Sequence, residues 1–244
     1  MSTVDTAVCI RKVDYSDTSQ IVTLFTAENG KISAIAKGAK RKKTAFDGPI
    51  ELFSYGQVAF ISPAGESKLA TLSEFNQRPV FLPLRRKLYA LNCAMFAAEL
   101  VNEFTHDSDP NSGLFEAFVN FLQDVQQSAD DNEATALLIL FQLTLLTQIG
   151  TGLMLKECVN CSVKFGTGWG RAYFSSSANG LICPDCEAAF TDKQSIQLNA
   201  AETLADLNLL KNANTYALKQ IEKTLIYHFT ELMHKPPRMA KHFL

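Results

Sequence analysis

The sequence predicts an α+β protein with two domains, and three observations support that prediction. Residues 1–78 contain short β-branched and alternating segments, whereas apolar residues from position 84 onward recur at helical spacing. Two Cys-x-x-Cys pairs lie within the helical part. We therefore expect a β domain over residues 1–79 and an α-helical domain over residues 80–244, interrupted by an inserted metal-binding segment at 155–190.

Five β-strands are predicted in the amino-terminal domain. They are Thr6–Val13, Gln20–Thr26, Lys31–Lys37, Ile50–Ile61 and Lys68–Phe75. The segment before the third strand ends in Asn29 and Gly30, a dipeptide typical of a tight hairpin turn. Because no insertion of helix length separates the strands, they favour a small closed barrel. The OB-fold is the commonest five-stranded barrel, and an SH3-like barrel is the alternative.

Five helices are predicted after the barrel, from apolar residues spaced three and four apart. They are Leu84–Val101, Leu114–Val125, Ala134–Ile149, Ala200–Leu210 and Thr215–Met233. Gly150 and Gly152 mark the end of the third helix. That helix is the most apolar stretch, but it contains Thr and Gln and is shorter than a bilayer is thick. We therefore expect a buried core helix and no membrane partner.

The metal-binding segment carries Cys158 and Cys161 and, after 21 intervening residues, Cys183 and Cys186. Each Cys-x-x-Cys turn directs two thiolates at one point, and Zn²⁺ takes four ligands in a tetrahedron. Glycines around Trp169 and the polar residues 175–179 indicate a hairpin that brings the second pair back to the first, as in a zinc ribbon. With four Cys ligands no position is open to water, so one structural rather than catalytic zinc ion is expected.

Two disulfides or a redox dithiol are the alternatives to zinc. The sequence does not begin with a recognisable export signal, so we expect the cytoplasm, where disulfides are rare. A thioredoxin-like dithiol would lie at a β–α junction, which the pattern here lacks. The two other cysteines, Cys9 and Cys93, lie in apolar surroundings and are expected to be buried thiols.

A basic loop is predicted between two strands of the barrel. Five cations fall within seven residues, namely Lys37, Lys40, Arg41, Lys42 and Lys43. Loops of an OB-fold line the groove that holds single-stranded nucleic acid, and Lys and Arg there contact phosphates. Such contacts read no base sequence, so non-specific, salt-sensitive binding is expected, and phosphate neutralisation would favour annealing of complementary strands. A solvated charged loop is the alternative.

The charge distribution agrees with a local binding patch. The formal net charge of −2 predicts no overall attraction to a polyanion. Residues 1–80 nevertheless carry ten Lys and Arg against eight Asp and Glu, whereas residues 81–157 carry four against ten. Aromatic residues near the basic loop are candidates for stacking on bases, although strand alternation should turn half of them into the barrel. These are Phe46, Phe53, Tyr55 and Phe60.

Several motifs distributed along the chain point to a known family. They are Tyr15–Ser19, Ile21–Thr26, Asn29–Ser33, Lys37–Ala39 with the cations that follow, Tyr173–Phe174, and Gly180–Cys183 with Cys186. In combination they resemble the RecO family of bacterial recombination mediators. The resemblance implies an OB-fold, a helical domain with a zinc site held by the four cysteines, a DNA-binding basic loop, and no catalytic centre.

The resemblance also implies a set of partners. Family members bind single- and double-stranded DNA and anneal complementary strands. They also bind RecR and the tail of single-strand-binding protein, and they help to load RecA. They act in the cytoplasm, in association with the nucleoid. That tail is acidic and ends in hydrophobic residues, so its receptor requires an apolar pocket with cations at the rim. Two clusters could supply the cations, although each could equally be ordinary solvated charge. They are Arg85, Arg86 and Lys87, and Lys235, Arg238 and Lys241.

No enzyme is predicted. The four His residues lack metal-binding spacing, no Gly-rich phosphate loop follows a strand, and no nucleophile lies in a recognisable motif. A transcription-associated zinc-ribbon module and an RNA-binding barrel are the competing functions. Residues 158–190 contain two cations, Lys164 and Arg171, too few for a DNA surface of their own, so the metal is expected to hold the fold together.

Overall fold

The structure is a computed structural model that describes residues 2–41, 45–62, 69–166 and 168–244. The chain divides into two units, the first comprising Met1–Leu91 with Ala98–Gln126 and the second Asn92–Ala97 with Gln127–Leu244. This division does not follow the expected boundary between residues 79 and 80, because a helix after that point packs on the barrel. The boundaries 1–79 and 80–244 stay a prediction.

Five strands in the first unit close into a barrel, as predicted. They are β1 (Ser2–Asp14), β2 (Gln20–Thr26), β3 (Gly30–Ala36), β4 (Tyr55–Ile61) and β5 (Ala70–Arg78). Their order is β1-β2-β3-β5-β4, with β4 pairing back onto β1. The β3–β5 pairing is parallel and the other pairings are antiparallel. This is the strand order of the OB-fold, and its closure leaves no open sheet edge.

Alternation along the strands builds the barrel core. Alternate residues of β3 are buried, and Val58, Phe60 and Phe75 add side chains from β4 and β5. The predicted start of the fourth strand at Ile50 is wrong, since β4 begins at Tyr55. Residues 51–54 form a turn instead, with the Ser54 N–H donating to the Glu51 carbonyl at 3.0 Å and Phe53 at a φ of 64°.

The turn between β2 and β3 requires its glycine. Thr26 pairs with Gly30, so three residues connect the strands, and Gly30 has a φ of +68°. A Cβ atom at this position would lie 2.3 Å from the backbone oxygen of Asp109. Gly30 therefore provides both the left-handed backbone conformation and the space for a neighbouring loop.

Two helices follow the barrel. A short 3₁₀ turn at Leu82–Arg86 precedes α1 (Leu88–Phe104), and α2 spans Ser112–Val125. The first predicted helix therefore begins later than Leu84. The side chain of Asn111 caps α2 by accepting the Leu114 N–H at 2.9 Å. Within the first unit, α2 packs on the barrel through Phe115 and Phe118, whose ring centroids lie 5.8 and 6.3 Å from that of Phe25.

The second unit surrounds a small sheet with helices. Helix α3 spans Asp131–Gln148 and ends before Gly150, which has a φ of 82°. The strands are β6 (Ala172–Ser175), β7 (Gly180–Ile182) and β8 (Gln194–Ile196) in the order β7-β6-β8. Helices α4 (Leu198–Ala205) and α5 (Thr215–Met233) follow.

Two features of the second unit differ from the sequence-based expectation. Strand β8 was not predicted, because three residues are too few to show a period. The fourth predicted helix, Ala200–Leu210, is two pieces: α4 ends at Ala205 and a separate 3₁₀ helix spans Leu207–Asn212. Asp206 breaks the helix by adopting extended backbone and accepting the Asn208 N–H at 3.1 Å. Over the described ranges, no helix combines the length and apolarity needed to cross a membrane.

Candidate nucleic-acid interface and metal centre

The basic loop leaves the barrel directly after β3. Gly38 has a φ of +76°, and the Arg41 N–H donates to its carbonyl at 3.0 Å, which closes a turn. Ala39 is fully buried and anchors the turn, whereas Lys37 and Arg41 are exposed. Lys42 and Lys43, the two other predicted DNA-binding residues, lie outside the described residues. The part of the loop that is described therefore presents Lys37, Lys40 and Arg41 at one end of the barrel.

A second loop, residues 15–19 between β1 and β2, is bonded to the basic loop. The Gly38 N–H donates to the Ser19 hydroxyl at 3.3 Å, and the Lys40 N–H donates to the Thr18 carbonyl at 3.1 Å. The 15–19 loop is also closed on itself, because the Tyr15 N–H donates to the Ser19 carbonyl at 3.0 Å. The two loops consequently form one surface, which the sequence analysis did not identify.

One cation of the basic loop has an acidic partner. The Lys40 ammonium lies 3.0 Å from a carboxylate oxygen of Asp14, at the end of β1. Hydrogen bonds from Lys40 and then from Gln20 lower the pKa of Asp14, so this carboxylate stays ionised. A phosphate group that binds Lys40 must compete with Asp14.

Gln20, the first residue of β2, anchors the segment that follows the basic loop from inside the barrel. Its side chain is buried, its Oε1 accepts the Ile50 N–H at 2.9 Å, and its Nε2 donates to the Ile50 carbonyl at 3.2 Å. The same Nε2 also lies 3.2 Å from a carboxylate oxygen of Asp14. One buried amide therefore joins the end of β1, β2 and the segment that follows the basic loop.

Most of the aromatic residues proposed for base stacking are inside the protein. Phe46, Phe53 and Phe60 are each no more than 5% exposed, so they cannot stack on a bound base. Tyr55 is half-buried and packs edge-on against Phe81, with ring centroids 5.7 Å apart. More of these rings are buried than strand alternation predicts, because Phe46 and Phe53 belong to the β3–β4 connection rather than to a strand.

The four cysteines of the second unit converge as predicted. Their sulfur atoms all lie within 4.8 Å of one another, and the sulfurs of Cys161 and Cys183 are 3.7 Å apart. Tetrahedral zinc with a Zn–S distance of about 2.3 Å places its sulfurs about 3.8 Å apart. The arrangement can hold one metal ion, and its sulfur spacing fits zinc.

Backbone hydrogen bonds position each Cys-x-x-Cys turn. In the first turn the Ser162 N–H donates to the Cys158 carbonyl at 2.9 Å, and in the second the Cys186 N–H donates to the Cys183 carbonyl at 3.2 Å. The Val159 N–H donates to the Leu181 carbonyl at 3.0 Å, which joins the first turn to β7. Because β7 leads directly into Cys183, this contact brings the two pairs together.

The surroundings of the sulfurs favour negative charge on Cys158. The N–H of Cys183 donates to the sulfur of Cys158 at 3.4 Å, and the Asn160 amide donates to the sulfur of Cys186 at 3.3 Å. Burial raises the pKa of Cys158, but backbone N–H donors led by Cys183 outweigh it and bring the value to about 7. Burial raises the pKa of Cys183 to about 12. A metal ion bound here would supply the positive charge that buried thiolates require.

Helix α5 carries two buried ionisable groups. His228 on α5 is fully buried, and its Nδ1 lies 2.7 Å from the Ser176 hydroxyl. Burial lowers its pKa to about 4, so the ring is neutral at physiological pH. Glu222 on the same helix is 1% exposed. The protein interior therefore shields both groups from solvent.

Comparisons with known proteins agree with this arrangement. The family model described as Recombination protein O N terminal matches residues 1–78, and Recombination protein O C terminal matches residues 85–238. The chain belongs to the RecO family. The N-terminal RecO model spans the barrel and its basic loop, and the C-terminal RecO model spans the helices and all four cysteines. The resemblance predicted from the motifs is confirmed.

Individual RecO proteins match over most of their length. The DNA repair protein RecO of Alkaliphilus metalliredigens is 30% identical over 226 residues, which is 88% of this chain and 87% of that protein. Those of Rhodopirellula baltica and Anaeromyxobacter sp. (strain K) are 29% and 34% identical, covering 82% and 74% of this chain and 73% and 69% of theirs. Membership in the RecO family places the chain among DNA repair and recombination proteins.

Proposed function

We propose that this protein is a non-enzymatic DNA repair and recombination mediator that binds single- and double-stranded DNA and anneals complementary strands. The observation that supports this most strongly is the basic loop at the end of a closed OB barrel in a member of the RecO family. Lys37, Lys40, Arg41, Lys42 and Lys43 bind phosphates. Because phosphates carry no sequence information, the protein acts on strands of any sequence.

Neutralised phosphates allow two strands to approach, and this is the physical basis of annealing. The ion pair between Lys40 and Asp14 keeps the loop ordered before DNA arrives, and a phosphate then replaces the carboxylate. Binding should weaken steeply as salt rises, because condensed counterions are released from DNA when cations take their place.

The partners follow from the same proposal. In the cytoplasm, the protein binds RecR and the acidic tail of single-strand-binding protein and helps to load RecA onto coated DNA. For the tail, the structure favours the cluster of Arg85, Arg86 and Lys87, because Arg85 lines a cavity of about 350 Å³. The apolar walls of that cavity are Leu52, Phe53, Phe81 and Leu82. Asp47 and Glu51 also line the cavity, and Glu51 lies 3.7 Å from Arg85. An acidic tail that ends in hydrophobic residues would therefore pair with Arg85 in place of Glu51.

The four cysteines hold one structural zinc ion. The metal-binding segment has little core of its own, and a metal that closes both Cys-x-x-Cys turns stabilises the link between α3 and α4. DNA binding belongs to the barrel in this proposal.

The test is annealing of complementary oligonucleotides, both naked and coated with single-strand-binding protein. The loop variant carries Lys37→Ala, Lys40→Ala and Arg41→Ala together. Its matched control carries Lys211→Ala, Lys219→Ala and Lys223→Ala, which removes the same charge from exposed positions of the second unit. We expect the control to anneal like the wild type and the loop variant to lose annealing while it remains folded. No annealing by the wild type on either substrate would favour a zinc-ribbon interaction module instead.

A further inference from the structure

Tyr15 is an exposed aromatic residue in the loop that is bonded to the basic loop. Its side chain is 65% exposed. Within the described part of the first unit it is the one aromatic residue that is exposed, since the other rings are buried or half-buried. A ring this open contributes little to folding, and the barrel core is complete without it.

The backbone around Tyr15 is held in place. Its N–H donates to the Ser19 carbonyl at 3.0 Å, and the Ser19 N–H donates to the Ser16 hydroxyl at 3.1 Å. The same loop is bonded to Gly38 and Lys40 at its other end, as described above. Tyr15 is therefore an ordered position rather than a residue on a loose tip, and little conformational entropy is lost when a ligand binds there.

Tyr15 is also the chain neighbour of the residue that pairs with one cation of the basic loop. It directly follows Asp14, whose carboxylate lies 3.0 Å from the ammonium of Lys40. Surfaces that hold single strands combine cations for the backbone with aromatic rings for the bases. Phe46, Phe53 and Phe60 cannot serve as those rings because they are buried. Tyr15 is placed to do so.

We propose that Tyr15 stacks on an unpaired base of single-stranded DNA while Lys37, Lys40 and Arg41 hold the adjacent phosphates. This inference rests on the proposed DNA-binding function and adds to it a preference for single-stranded DNA. Phosphate contacts alone do not distinguish single strands from duplexes, whereas a stacked base must be unpaired. Tyr15 consequently favours single-stranded over double-stranded DNA, and it presents an ordered base to an incoming complementary strand.

The test compares binding to three labelled probes, which are an oligothymidine, an abasic oligomer of equal length, and a duplex. The variants are Tyr15→Ala and Tyr15→Phe, and Tyr216→Ala is the matched control because Tyr216 is 59% exposed but belongs to the second unit. We expect Tyr15→Ala to bind oligothymidine about tenfold more weakly, within the range measured for base–aromatic stacking. Tyr15→Phe and Tyr216→Ala should bind like the wild type.

The abasic probe separates stacking from general damage to the surface. On that probe and on the duplex, Tyr15→Ala and wild type should bind equally, and the dependence of affinity on salt should be the same because no cation has been removed. Equal binding of oligothymidine by Tyr15→Ala and wild type would overturn the inference, and so would an equal loss on the abasic probe. Failure of the wild type to bind any probe would instead remove the proposed function itself.

A spectroscopic measurement gives an independent answer. The chain has a single tryptophan, Trp169, which is 4% exposed and belongs to the second unit. Tyr15→Trp therefore adds an exposed fluorophore against a buried background. Oligothymidine should quench the added fluorescence and the abasic oligomer should not. Identical quenching by both probes would contradict stacking at this position.

Discussion

Replacing Glu222 with Gln should stabilise the second unit at neutral and alkaline pH. Glu222 lies on α5 and is 1% exposed, and its Oε1 accepts a hydrogen bond from the Nε2 of Gln142 at 2.9 Å. Its Oε2 and the Oε1 of Gln142 are buried and have no hydrogen-bond partner among the residues that the structure describes. Burial raises the pKa of this carboxyl from 4.5 to about 7, an effect that the Gln142 hydrogen bond only partly offsets.

The sign of the pH dependence follows from that shift. The carboxyl group ionises near pH 4.5 in the unfolded chain and near pH 7 in the folded one. Between these values the folded protein binds more protons, so the free energy of unfolding falls as the pH rises. Each pKa unit corresponds to about 1.4 kcal/mol, so ionisation of Glu222 costs on the order of 3 kcal/mol above pH 7. A Gln side chain does not ionise, and its amide group can donate to the free oxygen of Gln142.

Urea unfolding at about pH 5 and about pH 8, followed by circular dichroism, measures the effect. The zinc concentration is held constant, so that metal binding contributes equally to both proteins. Glu231→Gln is the matched control, because Glu231 lies on the same helix and is exposed. Glu222→Gln should gain stability over wild type at the higher pH and little at the lower pH, and the control should track the wild type. A difference that is the same at both pH values would refute the reasoning.

Two further predictions concern the metal and the basic loop. A Cys158→Ser/Cys161→Ser variant should purify without zinc and melt at a lower temperature than the wild type. Loss of the metal should lower the melting temperature before it lowers the affinity for DNA. Unchanged melting after zinc loss would contradict a structural role for the metal. Asp14→Asn should release Lys40 from its ion pair and raise the affinity for oligonucleotides. For a single strand, the slope of the logarithm of the binding constant against the logarithm of the salt concentration should steepen by up to about 0.7. Asp17→Asn, an exposed acid in the neighbouring loop, is the control for the second prediction; an equal gain in both variants would indicate long-range charge alone.

The elements with a repeating pattern could be predicted from the sequence. β-Branched residues predicted β2 to the residue, and the Asn29–Gly30 turn predicted β3 to within one residue at each end. Helical spacing predicted α2 and α5, because it reports which face of a local element is buried, and the apolar run 134–149 predicted α3. The four cysteines were equally predictable. The two Cys-x-x-Cys turns are local structures, and two such turns at that separation are typical of a structural metal site.

The contacts between segments distant in sequence were decided by the tertiary structure. Barrel closure brings the 15–19 loop against Gly38 and Lys40, pairs Lys40 with Asp14, and buries Phe46 and Phe53 from a connection that has no period. In the second unit, the packing of α3 and α5 places Glu222 beside Gln142, where burial raises the pKa of the Glu222 carboxyl group. Local periodicity determines which elements form, but burial and the neighbours of a side chain depend on which elements meet. The candidate metal ligands were therefore predictable from the sequence alone, whereas the surface formed by Tyr15 and the basic loop was decided by the fold.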